Sequence, residues 1–434
     1  MTSLARTRLV LSLLSLLFLA RVAGQGIMRM AQPGWLPPDP LWHAGLMPYP
    51  ALLGIQLVLL AMMAMVIARL DRIRPNDRLA MVTAGIGSLY LAVMAGRFAI
   101  GASGLVPGGW FDRPISTTFH LVLAGWLLIL AHHLGTAGRR ALLSGAARRL
   151  GRALAYPAVM ALACGLFLWL RRHGAPVAFS AYLPVILGAS AILVMELAAP
   201  YRRQWLPDRE VVLQDAAYLI VVQVALPSAL TLAIAGLAAE AVGGGAGLWP
   251  TSWPIAAQAA LMLVSADFLR YWLHRACHGL PALWRLHAVH HSPGELYFLN
   301  VGRFHPLEKS IQFLLDAAPF ILLGVSQEVV AAYFVFYAVN GFFQHSNADV
   351  HLGPLNWIIA GPELHRWHHS RIVAESNHNF GNNLILWDTL FGTRFLPPRE
   401  VGELGLINRA YPEGFLAQTL APNPNVDPNR TSDP

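Results

Sequence analysis

Seven apolar runs follow one another through residues 51–68, 79–100, 117–131, 154–170, 177–199, 211–238 and 254–272. Runs of this kind approach the ~20 apolar residues that a helix needs to cross a bilayer. Periodicity does not separate a buried helix from a strand in such runs, but length does, and it predicts helices. Inside hydrocarbon every backbone N–H and C=O must be paired within the protein, which leaves helical bundles as the solution for segments this long. Hydrophobic residues make up 56% of the 434 residues and charged residues 12%, a balance that excludes a soluble enzyme. The formal net charge is +8, with Lys309 the single lysine. The arginines sit in short connections, 69–78, 139–152 and 201–210, while 101–116 and 240–253 are nearly free of them. That alternation is a topology signal and not a nucleic-acid surface. With the arginine-rich loops in the cytoplasm, the run ending at Trp272 exits there, and Arg171 and Arg172 are the exceptions.

The expected class is therefore all-α, a polytopic integral membrane bundle, in a bacterial inner membrane on the Arg, Ala, Gly and Pro bias. Residues 9–20, preceded by Arg6 and Arg8, read either as a signal peptide with Val22 and Gly24 at the cleavage positions or as a first anchor. Residues 25–50, rich in Pro and Trp, read as a loop. Two shorter runs, 311–325 and 329–343, joined at Ser326, Gln327 and Glu328, read as a hairpin that dips in and returns. A boundary near residue 175 separates an N-terminal membrane domain of unknown role (1–175) from a second domain (176–398). Residues 399–434 have little to bury and read as a disordered tail. Within the first domain, Arg97, His120, His132 and His133 lie in or near apolar runs. They read as snorkelling or interhelical bonding, with a quinone, haem or lipid site as the alternative. Cys164 and Cys277 read as lying at different depths, so no disulfide is expected.

The chemistry-bearing residues are concentrated after Asp267. Three boxes, His274-x3-His278, His287-x2-His290-His291 and His365-x2-His368-His369, hold eight of the seventeen histidines. On a helix, residues three or four apart share a face, so each box can aim at least two imidazoles at one point. Neutral imidazole suits Fe, Zn, Cu and Ni and not Mg or Ca. Eight such ligands exceed what one ion needs, which points to two. No H-E-x-x-H is present, so the zinc-protease arrangement is excluded.

With Asn377-His378-Asn379-Phe380-Gly381 and Trp387-Asp388-Thr389-Leu390-Phe391-Gly392-Thr393, these boxes resemble the sterol desaturase/fatty acid hydroxylase superfamily of membrane di-iron oxygenases. The likeness covers roughly residues 180–398; no family is recognised in the first 175. It implies a ninth ligand, His345, in Gln344-His345-Ser346-Asn347. His305, His378 and Asp267 are further candidates for the metal or its surroundings, and His351 is a weaker one. Glu295, Glu308, Glu363 and Asp388 are candidates to orient ligands, and Trp284, Trp367 and Trp387 to wall the site. Cys277 reads as a bystander thiol. His43 and His173 are expected outside, with no role.

The resemblance implies two Fe ions, with Zn as a substitute, and O2 as co-substrate. It implies hydroxylation or desaturation of a C–H bond of a lipid substrate at the cytoplasmic face. No dinucleotide fingerprint is present, so electrons are expected from an external donor: a reductase, a ferredoxin or a cytochrome b5-like carrier. A metal-binding or metal-transporting membrane protein, or a non-catalytic zinc-bound family member, are the rival readings. Placement of the boxes beyond the apolar runs favours catalysis over transport, which uses ligands near the midplane.

Overall fold

The computed structural model describes residues 3–42, 47–104, 109–135, 146–231 and 249–421. Among these there is no β-strand, only three isolated bridges. Seven helices are long and apolar enough to cross a membrane: Leu4–Ala31, Tyr49–Ala68, Asp77–Ser103, Pro114–Leu134, Arg149–Arg172, Val177–Ala198 and Arg209–Thr231. Their apolar faces are largely uncovered, as lipid-facing helices require: Ile55, Leu57, Val58 and Met62 on one, Val82, Ile86 and Leu89 on another.

The first helix differs from the sequence expectation. It runs Ser3–Ala31, so the stretch read as a loop from residue 25 is helical through its first turns. The Pro-rich remainder then turns, with a short 3-10 turn at Asp39–Leu41. The run at 254–272 forms the helix Ile255–Gly279, but it is not among the seven apolar spans. Asp267 and Arg270 are buried in it, and Arg270 pairs with Asp316 at 2.6 Å, so its interior is polar. The first arm of the expected hairpin is broken. Pro306–Asp316 ends, Pro319 follows at the start of Ala318–Leu322, and Gln327–His345 returns.

The chain packs as two compact units, residues 1–154 with 161–190, and residues 155–160 with 191–434. The first has a core of Trp42, Phe98, Ile115, Phe119, Trp169 and neighbours. Gly101 is required there, since a Cβ would sit 2.2 Å from the Phe111 carbonyl and 2.3 Å from the Trp169 ring. Arg97 donates to the Trp110 carbonyl at 2.8 Å and lies over its ring, and His120 bonds Tyr90 at 2.5 Å. The interhelical bonding expected of this group is thus present for His120, whereas Arg97 bonds the short turn that follows its own helix.

The second unit holds all three histidine boxes. Its short helices are set by prolines at their first turns: Pro281–His291, Pro306–Asp316 and Pro362–His368. Residues 399–421, assigned to a tail by composition, instead pack against this unit. Val401, Leu404, Leu406 and Tyr411 are buried, and Phe415–Leu420 is helical. Residues 422–434 and His43 lie outside the described residues. Cys164 and Cys277 are both free.

Candidate metal centre

Four segments deliver the histidines. His274 and His278 lie in the last two turns of Ile255–Gly279; His287, His290 and His291 end Pro281–His291. His345 is the last residue of Gln327–His345, and His365, His368 and His369 lie on and just after Pro362–His368. Their ring nitrogens gather in two groups. His274, His278, His287, His291 and His368 form the first, and His290, His345, His365 and His369 the second. Within each group the ligand atoms lie within 4.8 Å of one another.

The division follows helical geometry. His274/His278, His287/His291 and His365/His369 are pairs four residues apart, about 40° apart around a helix, and each pair stays in one group. Neighbours point about 100° apart. Accordingly His290 and His291 go to different groups, and so do His368 and His369.

The outward nitrogens are held by oxygen. Nδ1 of His274 donates to the Phe380 carbonyl at 2.8 Å, and Nδ1 of His287 to Glu308 Oε1 at 2.8 Å. Nδ1 of His345 donates to Asn300 Oδ1, itself oriented because the Asn300 amide donates to the Glu295 carbonyl. His368 Nδ1 donates to the His378 carbonyl at 2.8 Å and His290 Nδ1 to the Arg303 carbonyl at 3.2 Å. His278 Nδ1 lies 3.0 Å from Asn377 Oδ1. A neutral ring that spends its one N–H this way presents a bare Nε2 inward.

Those inward nitrogens face one another. Nε2 of His274 and His287 are 3.0 Å apart, His291 and His368 3.1 Å, and His345 and His365 3.0 Å. With both rings neutral and both Nδ1–H groups given to oxygen, the contact between His274 and His287 sets lone pair against lone pair. Two nitrogens on one ion, with bonds of about 2.1 Å at right angles, stand about 3.0 Å apart. His278 Nε2 is buried with no partner. The donor set, all imidazole, and these unpaired nitrogens fit a transition-metal ion in each group.

Burial drives eight of the nine rings toward the neutral, ligating form. His345 and His368 are each pushed down to about 3, chiefly by desolvation and then by neighbouring imidazoles. The same causes hold His274, His278, His290, His291, His365 and His369 well below 6.5.

The other candidates stand apart from both groups. His305 caps its helix, accepting from Leu307 N through Nδ1 and donating to the Thr419 carbonyl through Nε2, so both ring nitrogens are used. His378 contributes its carbonyl to His368 while its ring packs on Phe395. Asp267 accepts the backbone N–H groups of Asn383 and Leu384 at 2.8 and 2.9 Å and so fastens the loop that carries Phe380. Asp388 takes the N–H groups of Phe380 and Gly381, both at 2.7 Å. Glu363 binds Leu352 N, Asn356 and His351, and His351 is exposed. His173 pairs with Asp112 in the other unit. Cys277 is buried beside His287 and Glu308, in a third, smaller cluster. Asn300, Asn377 and the carbonyls of Arg303, Phe380 and His378 were not identifiable beforehand. A carbonyl oxygen belongs to every residue type, and an Asn has no distinguishing spacing.

The profile of the family "Fatty acid hydroxylase" matches residues 259–393, the stretch that carries all nine histidines. The ornithine lipid hydroxylase OlsE of Rhizobium tropici is 37% identical over 246 residues, 55% of this chain and 74% of that protein. Alkylglycerol monooxygenase of Xenopus tropicalis is 31% identical over 146 residues, 34% of this chain and 32% of that protein. A putative Delta(7)-sterol-C5(6)-desaturase of Arabidopsis thaliana is 28% identical over 145 residues, 32% of this chain and 49% of that protein. No solved structure matches the chain. A helical protein with membrane-length apolar helices, two buried histidine groups and these relatives belongs to the sterol desaturase/fatty acid hydroxylase superfamily, a family of lipid-oxidising enzymes.

Proposed function

We propose that the protein is a membrane-bound, O2-dependent lipid hydroxylase whose two histidine groups each hold one iron. The observation that carries this reading is the pair His274 and His287. Both Nδ1 atoms face oxygens, so with neutral rings two bare Nε2 atoms meet at 3.0 Å, an arrangement that a cation between them would stabilise. His274, His278, His287, His291 and His368 would hold one ion and His290, His345, His365 and His369 the other.

Bound there, iron would supply the O2-dependent oxidation of a C–H bond, with the balance RH + O2 + two electrons + two protons giving ROH + H2O. The chain's own residues do the rest. Glu308, Asn300 and the Phe380, Arg303 and His378 carbonyls hold the imidazoles in the ligating tautomer and fix their planes. Burial keeps the other eight rings of the nine, His287 aside, in the neutral form and limits water at the two groups. No dinucleotide fingerprint is present, so electrons come from a separate reductase, ferredoxin or cytochrome b5-like donor. With Ile255–Gly279 crossing the membrane as an eighth span, the arginine asymmetry of the loops supports a cytoplasmic site, where such a donor is available.

Metal analysis of anaerobically purified protein should approach two irons per chain. Supplied with a reductant and 18O2, it should add one labelled oxygen to a membrane lipid. One ion or fewer in active protein would defeat the two-metal reading, and zinc without turnover would defeat the oxygenase reading.

A further inference from the structure

One cleft, of about 290 Å³, opens beside the first histidine group, with His278 and His291 in its wall. A space of this size is that of a small-ligand pocket, which takes a head group and not a whole lipid. Its lining is mixed. Trp284 packs against His278 and His291, with ring centroids 5.1 and 5.4 Å away, and two arginines, Arg285 and Arg371, complete the polar side.

The charge balance in this cleft is one-sided. No carboxylate lines it. Arg371 is neutralised from outside the lining by Glu403, which also meets Arg409. Arg285 takes part in none of the ion pairs among the described residues. The indole Nε1 of Trp284 is buried and has no hydrogen-bond partner. The half-buried Arg285 side chain is thus a charged donor in want of an acceptor in this cleft.

We propose that this cleft takes the anionic group of the lipid substrate, a carboxylate or a phosphate, with Arg285 as its counter-ion, and that the oxidised carbon lies within a few bonds of that group. The assignment rests on reading the histidine groups as the metal centre, because His278 and His291 are what place the cleft beside the reacting position. The small volume sets the regiochemistry. Only atoms near the head can reach the histidine wall while the acyl chains stay outside. Trp284 supplies a flat apolar side to the same group.

The test uses the full-length, metal-loaded protein in detergent, titrated calorimetrically with three probes: dihexanoyl phosphatidic acid, N-lauroylglycine and uncharged dihexanoylglycerol. At least one anionic probe should bind about 10–100-fold more tightly than the neutral one, the range expected for charge-assisted hydrogen bonds. Arg285→Ala should remove that advantage, Arg285→Lys should keep part of it, and the neutral probe should be indifferent to both. Preference for the phosphate or for the carboxylate probe identifies the head. Equal binding of the neutral probe, or unchanged binding in Arg285→Ala, overturns the proposal. Inorganic phosphate that binds alone with the same Arg285 dependence overturns the lipid part of it. In turnover, the added oxygen should be found in the head-group fragment by tandem mass spectrometry, and an oxygen found only in the distal chain overturns the regiochemistry. Metal content separates this test from the underlying reading. Arg285→Ala should keep its ions, whereas a wild-type protein without ions defeats the metal centre and leaves the binding ratios standing.

Discussion

Nδ1 of His287 stands 2.8 Å from Oε1 of Glu308, and both side chains are buried. Gln312 donates to the same Oε1, while Oε2 has no partner. The carboxylate therefore selects the tautomer of His287 and fixes its plane. Glu308→Ala should reduce metal affinity or activity about 10–100-fold, the usual cost of losing such an orienting partner. Glu308→Gln, which keeps an acceptor oxygen, should lose less. Iron per chain, measured after dialysis against a graded chelator series, checks the order; full retention in Glu308→Ala would show that His287 is held by packing alone.

Removal of an imidazole from either group should cost more. His290→Ala and His345→Ala take ligands from the second group and His368→Ala from the first, so each should lose metal and at least about 10–100-fold in activity. His351→Ala, an exposed side chain in neither group, should keep both. The helices should remain inserted in every variant, because apolar length sets insertion. Wild-type iron in His345→Ala would remove it from the ligand set.

Asp267 acts at a distance from both histidine groups. Its two oxygens accept Asn383 N, Asn383 Nδ2 and Leu384 N, tying the Ile255–Gly279 helix to the loop that supplies Phe380. Asp267→Asn would turn an N–H toward a backbone N–H, leaving buried donors unpaired at about 1–3 kcal/mol. A lower thermal midpoint in the metal-free protein is expected; an unchanged midpoint would mean that the loop is held by Asp388 alone.

Acid should unfold the metal-free protein early. His345 and His368 are held near about 3 when folded, against 6.5 for the free side chain. The folded state thus binds fewer protons, and stability is present above pH 6.5 and lost as pH falls toward 3. The loss is up to about 1.4 kcal/mol per pH unit for each such ring. Thermal midpoints in detergent from pH 7.5 to 5 should fall steadily, whereas a flat profile would contradict neutral, buried imidazoles.

Sidedness can be read from Ala374, an exposed residue that follows the third box. Ser370, closer to the box, is buried and bonded to Glu375 and would label poorly on either side. Ala374→Cys should react with a membrane-impermeant thiol reagent in inverted vesicles and not in intact cells. Labelling in intact cells alone would reverse the topology.

Much of this centre was legible beforehand because imidazoles at helical spacing carry their own signature. Each histidine of the three boxes, with His345, falls in one of the two groups. The division between the groups was open, since His287 shares a face with both His290 and His291, and only the packed helices separate them. Glu308 was one of four carboxylates with equal claims, and nothing in its spacing distinguished it from Glu363, which instead ties down Leu352 and Asn356. The helical continuation to Ala31 and the packing of 399–421 escaped composition, because both depend on partners far along the chain.

The two adjacent-histidine pairs have a consequence for tuning. In His290–His291 and His368–His369 the rings lie 5.6 and 5.5 Å apart and nearly perpendicular, at 85° and 88°. Each pair is a covalent ruler with one end in each group. The spacing of the two sites is thereby written into peptide geometry at two places, and loop breathing or lipid thickness acts on neither. Substitutions elsewhere can change how tightly a site closes or what approaches it, but the distance between the sites should stay constant wherever His290–His291 keeps its helical turn and His368–His369 its helix end and cap.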